Sequence, residues 1–201
     1  VKVGPNPDGI TIANERIYTA DTDGMNWPSQ STRVSVVDIN SFEFEKTITV
    51  SLNPNYIYSD SDGDVYVICM SDYSDDKSYI VQRIDAKTDE VKTVEGIKAY
   101  KMTVADDIAY IMFNDYYANE VKYYKYDLKN EKLLSDNFIT DGTVVSSPNG
   151  IGVDPVTGDI YVGKSNKKNN GDVYVFSSEG KLKSQFETLP YPADFVFMTN
   201  K

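Results

Sequence analysis

Aspartates, side-chain amides and aromatic rings crowd into four polar stretches that separate apolar runs. The stretch 21–32 holds Asp21, Asp23, Asn26 and Trp27, and 71–78 holds Asp72, Tyr73, Asp75 and Asp76. The stretch 114–120 holds Asp115, Tyr116 and Tyr117, and 164–171 holds Asn166 and Asn169 beside Lys164, Lys167 and Lys168. A ring beside carboxylates and amides suits carbohydrate: the apolar face of a sugar stacks on the ring and its hydroxyls bond the polar groups. The candidate ligand-binding residues are therefore Asp21, Asp23, Asn26, Trp27, Asp72, Tyr73, Asp115, Tyr116, Tyr117 and Asn166. The plainer reading of Trp27 and the three tyrosines is local plugging of the polar stretch over its own neighbours. The lysines read as balance for the acidic stretches.

Cation binding has two candidate segments. Asp21-Thr22-Asp23-Gly24-Met25-Asn26 brings three oxygen-bearing side chains together, without the bidentate Glu that completes a calcium loop. Asp60-Ser61-Asp62-Gly63-Asp64 has Val65 where such a loop needs Gly and Ser71 where it needs Glu, so its Asp-Gly reads as a hairpin turn. Calcium is the one cofactor the sequence suggests, with Asp21, Asp23 and Asn149 as candidate ligands.

Composition narrows the chemistry. The chain has 201 residues, no histidine, one cysteine and a formal net charge of -11. Without histidine the commonest general base and every Ser-His-Asp or Cys-His arrangement are gone. A single Cys69 allows no internal disulfide, and its apolar run, Val65–Met70, makes it a small core residue. Net negative charge disfavours nucleic acid and anionic membrane surfaces. No run of about 18 apolar residues predicts a transmembrane span. The first residue is Val, so a mature form or an excised fragment is expected.

The positioning elements repeat. Pro148-Asn149-Gly150-Ile151-Gly152-Val153-Asp154, a turn at Pro155–Gly158 and the strand Asp159–Gly163 have a counterpart in Pro7–Ile12, Asn14-Glu15 and Arg16–Ala20. Looser copies run from Pro54 to Ile68 and from Tyr100 to Met112, and second-strand tyrosines fall at 18, 66, 110 and 161. Each copy continues into a polar loop, a third strand, a tight turn and a fourth strand. Three of the third strands end in aspartate, Asp38, Asp85 and Asp127, which suits acceptance from the N–H groups of the next turn. A four-stranded sheet buries both faces only by stacking on its neighbours. The prediction is an all-β propeller: four complete four-stranded blades at about 5–52, 53–98, 99–146 and 147–190, and the first strand of a fifth within 191–201. A β-sandwich is the less favoured alternative. The open blade edges predict self-association.

The phrase 148–162 resembles the YVTN-type surface-layer propeller family and is similar to NHL repeats; the looser copies extend the likeness over the chain. That resemblance implies a six- to eight-bladed ring exported to the bacterial periplasm or cell surface, in a family that is also likened to the quinoprotein amine dehydrogenase β-chain. A second resemblance is to gluconolactonase-like metal-dependent propellers, with Asn149 at the metal-binding Asn and Lys164 where that family has Asp.

These readings converge on a non-catalytic binding or scaffold module of the bacterial cell envelope. A glycan or protein ligand would sit on the face made by the loops between second and third strands. The alternative is a metal-dependent, lactonase-like hydrolase using Asp8, Asn55, Asn149 and Asp194 at a central channel; Asx residues before a strand also have a turn role.

Overall fold

The computed structural model describes residues 1–73, 79–115, 120–166 and 168–198. Their strands form four separate antiparallel sheets, each a meander of four. The first comprises β1 (Pro7–Ala13), β2 (Arg16–Asp21), β3 (Arg33–Asp38) and β4 (Phe44–Thr49). The second comprises β5 (Pro54–Ser59), β6 (Val65–Cys69), β7 (Ile80–Ile84) and β8 (Val91–Thr93). The third comprises β9 (Lys101–Ala105), β10 (Ile108–Asp115), β11 (Glu120–Asp127) and β12 (Lys132–Ser135). The fourth comprises β13 (Pro148–Val153), β14 (Ile160–Asn166), β15 (Asn169–Phe176) and β16 (Leu182–Thr188). These are the four predicted blades. In every meander the connections between second and third strands, and those leaving the fourth, lie at one end. The two tight turns lie at the other.

Burial follows strand position. Every residue of β6 is buried, the signature of a strand covered on both faces, whereas six of the seven residues of the outer strand β16 are exposed. The hairpins at Asn14-Glu15 and Asp106-Asp107 have positive φ at both central residues, as the twist of a two-residue hairpin demands. The predicted aspartate turns form: Asp38 Oδ1 accepts from the N–H groups of Asn40 and Ser41, Asp85 Oδ1 from Lys87 and Thr88, and Asp127 Oδ1 from Asn130. Asp60 Oδ1 likewise accepts from Asp62 and Asp64, so this acidic segment is a turn.

These turns make stability acid-sensitive. The carboxyl of Asp38 is held below its ordinary pKa chiefly by the Ser41 N–H, that of Asp85 by the Thr88 hydroxyl and N–H, and that of Asp127 by Asn130. A lowered folded-state pKa stabilises above the unfolded value of about 3.9 and loses that contribution as pH falls through the folded value. Urea midpoints are therefore expected to fall steeply below about pH 4. The triple variant Asp38→Asn, Asp85→Asn, Asp127→Asn is expected to show a shallower slope; an unchanged slope would mean the turns carry none of the acid sensitivity.

Contacts divide the chain into two compact units, Val1–Tyr100 and Lys101–Lys201. In the first, β1 packs on β5, and Tyr18, Val34, Val36, Ile57, Val67 and Ile84 form the core between the two sheets. Cys69 is buried there as expected, and burial pushes its thiol up to about 12. In the second unit the 136–147 connection contributes Phe138, which packs edge-on against Tyr110, Tyr123 and Phe176 at centroid distances of 5.5, 5.5 and 6.4 Å.

Two expectations change. The stretch 164–171 is mostly ladder, since Lys164 pairs with Asp172 and Asn166 with Asn169. Asn166 closes this hairpin by donating to Asn170 O and to the Asp172 carboxylate, at 2.8 and 3.0 Å. The segment 191–198 has no strand assignment, yet it packs against the first strand of the fourth sheet: Phe195 and Phe197 lie 5.8 and 5.1 Å from the Tyr161 ring.

Candidate functional site

The β2–β3 loop of the first unit holds the most exposed aromatic surface of the loop end. Its first residues are fixed to the amino-terminal segment, with Thr22 N donating to Asn6 O and Asp23 N to Pro5 O. A short 3-10 turn, Gly24–Asn26, follows Asp23, whose φ is 51°. Asn26 staples the turn, its amide donating to Ser29 O at 3.1 Å and to the Asp23 carboxylate at 3.3 Å. Trp27 follows, joined to Pro28 by a cis peptide bond. Its indole N–H donates to Asp72 O at 2.8 Å, while 64% of the residue stays exposed. Met25 and Tyr73 are also exposed. The predicted plug is thus half realised: the ring's polar edge is tied to the neighbouring blade and its apolar surface faces solvent. Beside it lies a shallow depression of about 320 Å³ lined by Asn6, Pro7, Asp8, Thr22, Gly24 and Met25.

Asn53, fully buried and not singled out from sequence, fastens the loops of both blades. Its carboxamide oxygen accepts from the Thr22 hydroxyl at 2.5 Å, its amide donates to Ser71 O at 2.8 Å, and its N–H donates to Ser31 O at 2.7 Å. The one signal for it was its place before Pro54 at the start of a repeat. Gln30 is only 5% exposed, and neither atom of its amide has a hydrogen-bond partner. An unmade hydrogen bond of this kind costs roughly 1–3 kcal/mol, so this amide gains more than any exposed polar group from a bound hydroxyl or amide.

Asp21 does not belong to this surface. It is completely buried: Oδ1 accepts from the Thr19 hydroxyl at 2.9 Å, and Oδ2 from the Ser35 hydroxyl at 2.5 Å and from Gly4 N at 3.2 Å. The Arg33 Nε stands 3.6 Å away. Both oxygens are spent on the protein, which takes Asp21 out of the expected ligand set and of the expected calcium ligands. Asp23 remains, half-buried. Asn149 lies half-buried on β13 in the other unit. Among the described residues no group of three or more His, Cys, Asp or Glu is placed to hold a metal ion.

In the second unit Asp115 ends β10, and its side chain, like Tyr116 and Tyr117, lies outside the described residues, as do Asp75 and Asp76 in the first. Asn166 is committed to its hairpin. A pocket of about 310 Å³ opens between β11 and the 136–147 connection, lined by uncharged residues including Val121, Asn137, Ile139 and Ser146. Tyr123, whose phenol burial pushes up, donates from its floor to Val145 O at 2.7 Å. Asp194, one of the hydrolase candidates, pairs with the ammonium of the buried Lys101 at 2.6 Å.

No family model matches the chain, and no curated protein does. Solved structures do. A chain of Kuenenia stuttgartiensis hydrazine synthase aligns over 86% of this chain and 51% of its own, with 14% identity and a TM-score of 0.63. A quinonprotein alcohol dehydrogenase-like protein from Bacteroides thetaiotaomicron aligns over 89% and 45%, with 17% identity and a TM-score of 0.62. A chain of the Mitotic Checkpoint Complex aligns over 90% and 49%, with 10% identity and a TM-score of 0.61. Likeness at this identity shows the fold, a β-propeller of four blades, and this chain spans about half the length of those it matches. No described helix is long and apolar enough to cross a membrane.

Proposed function

We propose that this propeller is a non-catalytic binding module of the bacterial cell envelope, and that its ligand is a glycan lying on the loop end around Trp27. The observation that carries the reading is the indole: its N–H is already satisfied by Asp72 O, and its apolar surface is exposed beside Asp23, Asp72 and Tyr73. A ring fixed at its polar edge is a preorganised stacking platform, and neighbouring carboxylates and amides supply acceptors and donors for hydroxyls. The likeness of 148–162 to surface-layer propellers supports the envelope location. A protein ligand on the same surface is the second reading, supported by exposed Met25.

The lactonase-like alternative is less well supported. It asks first-strand Asx residues to hold a divalent cation, and at Asp194 the place of the cation is taken by Lys101. No residue set in the first unit replaces the buried Asp21 as an anionic ligand beside Asp23.

Trp27 is the only tryptophan, so intrinsic fluorescence reports on this site alone. Titration with soluble peptidoglycan and envelope-polysaccharide fragments is expected to shift its emission. Trp27→Ala is expected to weaken binding at least tenfold, about 1.4 kcal/mol, with the melting temperature unchanged because the ring is mostly exposed. Binding that survives Trp27→Ala at full strength would move the ligand elsewhere.

A further inference from the structure

Consecutive first strands meet in one repeating register. Counting places from Pro7, Pro54, Pro148 and Pro192, the residues immediately before these prolines, Asn6, Asn53, Ser147 and Tyr191, all take positive φ. In the first unit, place three of β1 lies against place two of β5: a Cβ at Gly9 would stand 2.6 Å from Asn55 O and 3.0 Å from Ile57 N. In the second unit the same relation joins β13 to 192–197: a Cβ at Gly150 would stand 2.5 Å from Ala193 O, and one at Gly152 would stand 2.7 Å from the Cβ of Phe195. The segment 192–197 thus stands where the first strand of a following blade belongs. Places three and five face the next copy, and places four and six face the previous one.

Two half-joints are left open. Places four and six of β1 are Ile10 and Ile12, 67% and 58% exposed. At the other end, places five and seven are Val196 and Met198, 90% and 96% exposed. Large apolar side chains this exposed, alternating along a strand, are a docking face. The geometry points to a head-to-tail joint between two copies of this chain, in which Val196 and Met198 of one copy pack on Ile10 and Ile12 of the next.

The occupant follows from the joint itself. Each open face is the missing half of the other, in the register that both units use internally, so a second copy supplies what each lacks. The interface is heterologous: one surface meets a different surface. Length agrees, since the matched solved chains are about twice as long as this one, with 51%, 45% and 49% of each covered. The inference does not rest on the ligand at Trp27.

The test is sedimentation equilibrium on the full chain and two variants, Ile10→Asp and Val196→Asp. Both positions are exposed in one copy, so melting temperatures are expected to stay within a few degrees of the parent. The parent is expected to associate in a concentration-dependent way. Each variant alone is expected to sediment as a single chain, its dissociation constant raised more than tenfold by a buried unpaired carboxylate. An equal mixture is expected to recover one-to-one pairs, because each variant keeps the half-joint that the other has lost. A parent that stays monomeric, a variant that associates as the parent does, or a mixture that fails to pair would each overturn the proposal.

Discussion

Gly180→Ala is expected to cost the second unit about 4 kcal/mol or more, enough to leave much of it unfolded at room temperature. Gly180 has φ of 79°, and a Cβ built there would fall 1.6 Å from Phe138 O and 2.8 Å from its carbonyl carbon. That is bonding distance, and the obstacle is backbone. The 136–147 connection lies directly on the β15–β16 turn, held by Thr140 N donating to Gly180 O at 2.9 Å and the Thr140 hydroxyl to Glu179 O at 2.8 Å. Lifting Phe138 away would pull its ring out of the cluster with Tyr110, Tyr123 and Phe176. Gly142→Ala is the internal control: φ there is 81°, but no atom lies within 4 Å of the new carbon. It should cost only the left-handed strain, roughly 1–2 kcal/mol. Urea midpoints and near-ultraviolet circular dichroism of the two variants check the difference. Equal losses would show that strain alone, not the close approach, makes glycine necessary at 180.

Asp21→Ala is expected to destabilise the first unit by ~3–5 kcal/mol. The substitution strands two hydroxyls and the Gly4 N–H in a site closed to water, and leaves Arg33 without its carboxylate. It also frees the amino-terminal segment, since a Cβ at Gly4 would stand 2.3 Å from Asp21 Oδ2 and the chain fits there only as glycine. Asp21→Asn keeps the shape but turns a donor toward donors, and should lose about half as much. Denaturation midpoints check both. If Asp21→Ala were neutral, the buried carboxylate would be a passenger.

The difference between Asp21 and Asp38 marks what sequence patterning reaches. Asp38 acts on the residues that follow it, so its turn is visible in a window of a few residues. Asp21 looks like the same kind of residue at the mouth of a polar loop, but its partners are Gly4 and Ser35, brought in by the meander and by the amino-terminal segment. Asp194 pairs with Lys101 across most of a unit, and Asn53 joins loops of two blades; neither relation has a local signature. The repeat phrase was legible because each blade satisfies its strands from its own neighbours in sequence. Trp27 stood out by type and setting alone, while the tie to Asp72 needed the second blade in place. The stretch 164–171 looked like a loop from its polarity, yet Asn166 supplies the hydrogen bonds that let the ladder run almost to its tip.

Cys69 has a practical consequence. Its thiol is fully buried and titrates near 12, so at neutral pH it presents almost no thiolate to reagents in solvent. The chain is therefore a natural blank for site-directed labelling. A single Met25→Cys substitution, at a residue 88% exposed beside Trp27, would take up a maleimide fluorophore or spin label alone and give the loop end a reporter without removing any native residue from the core.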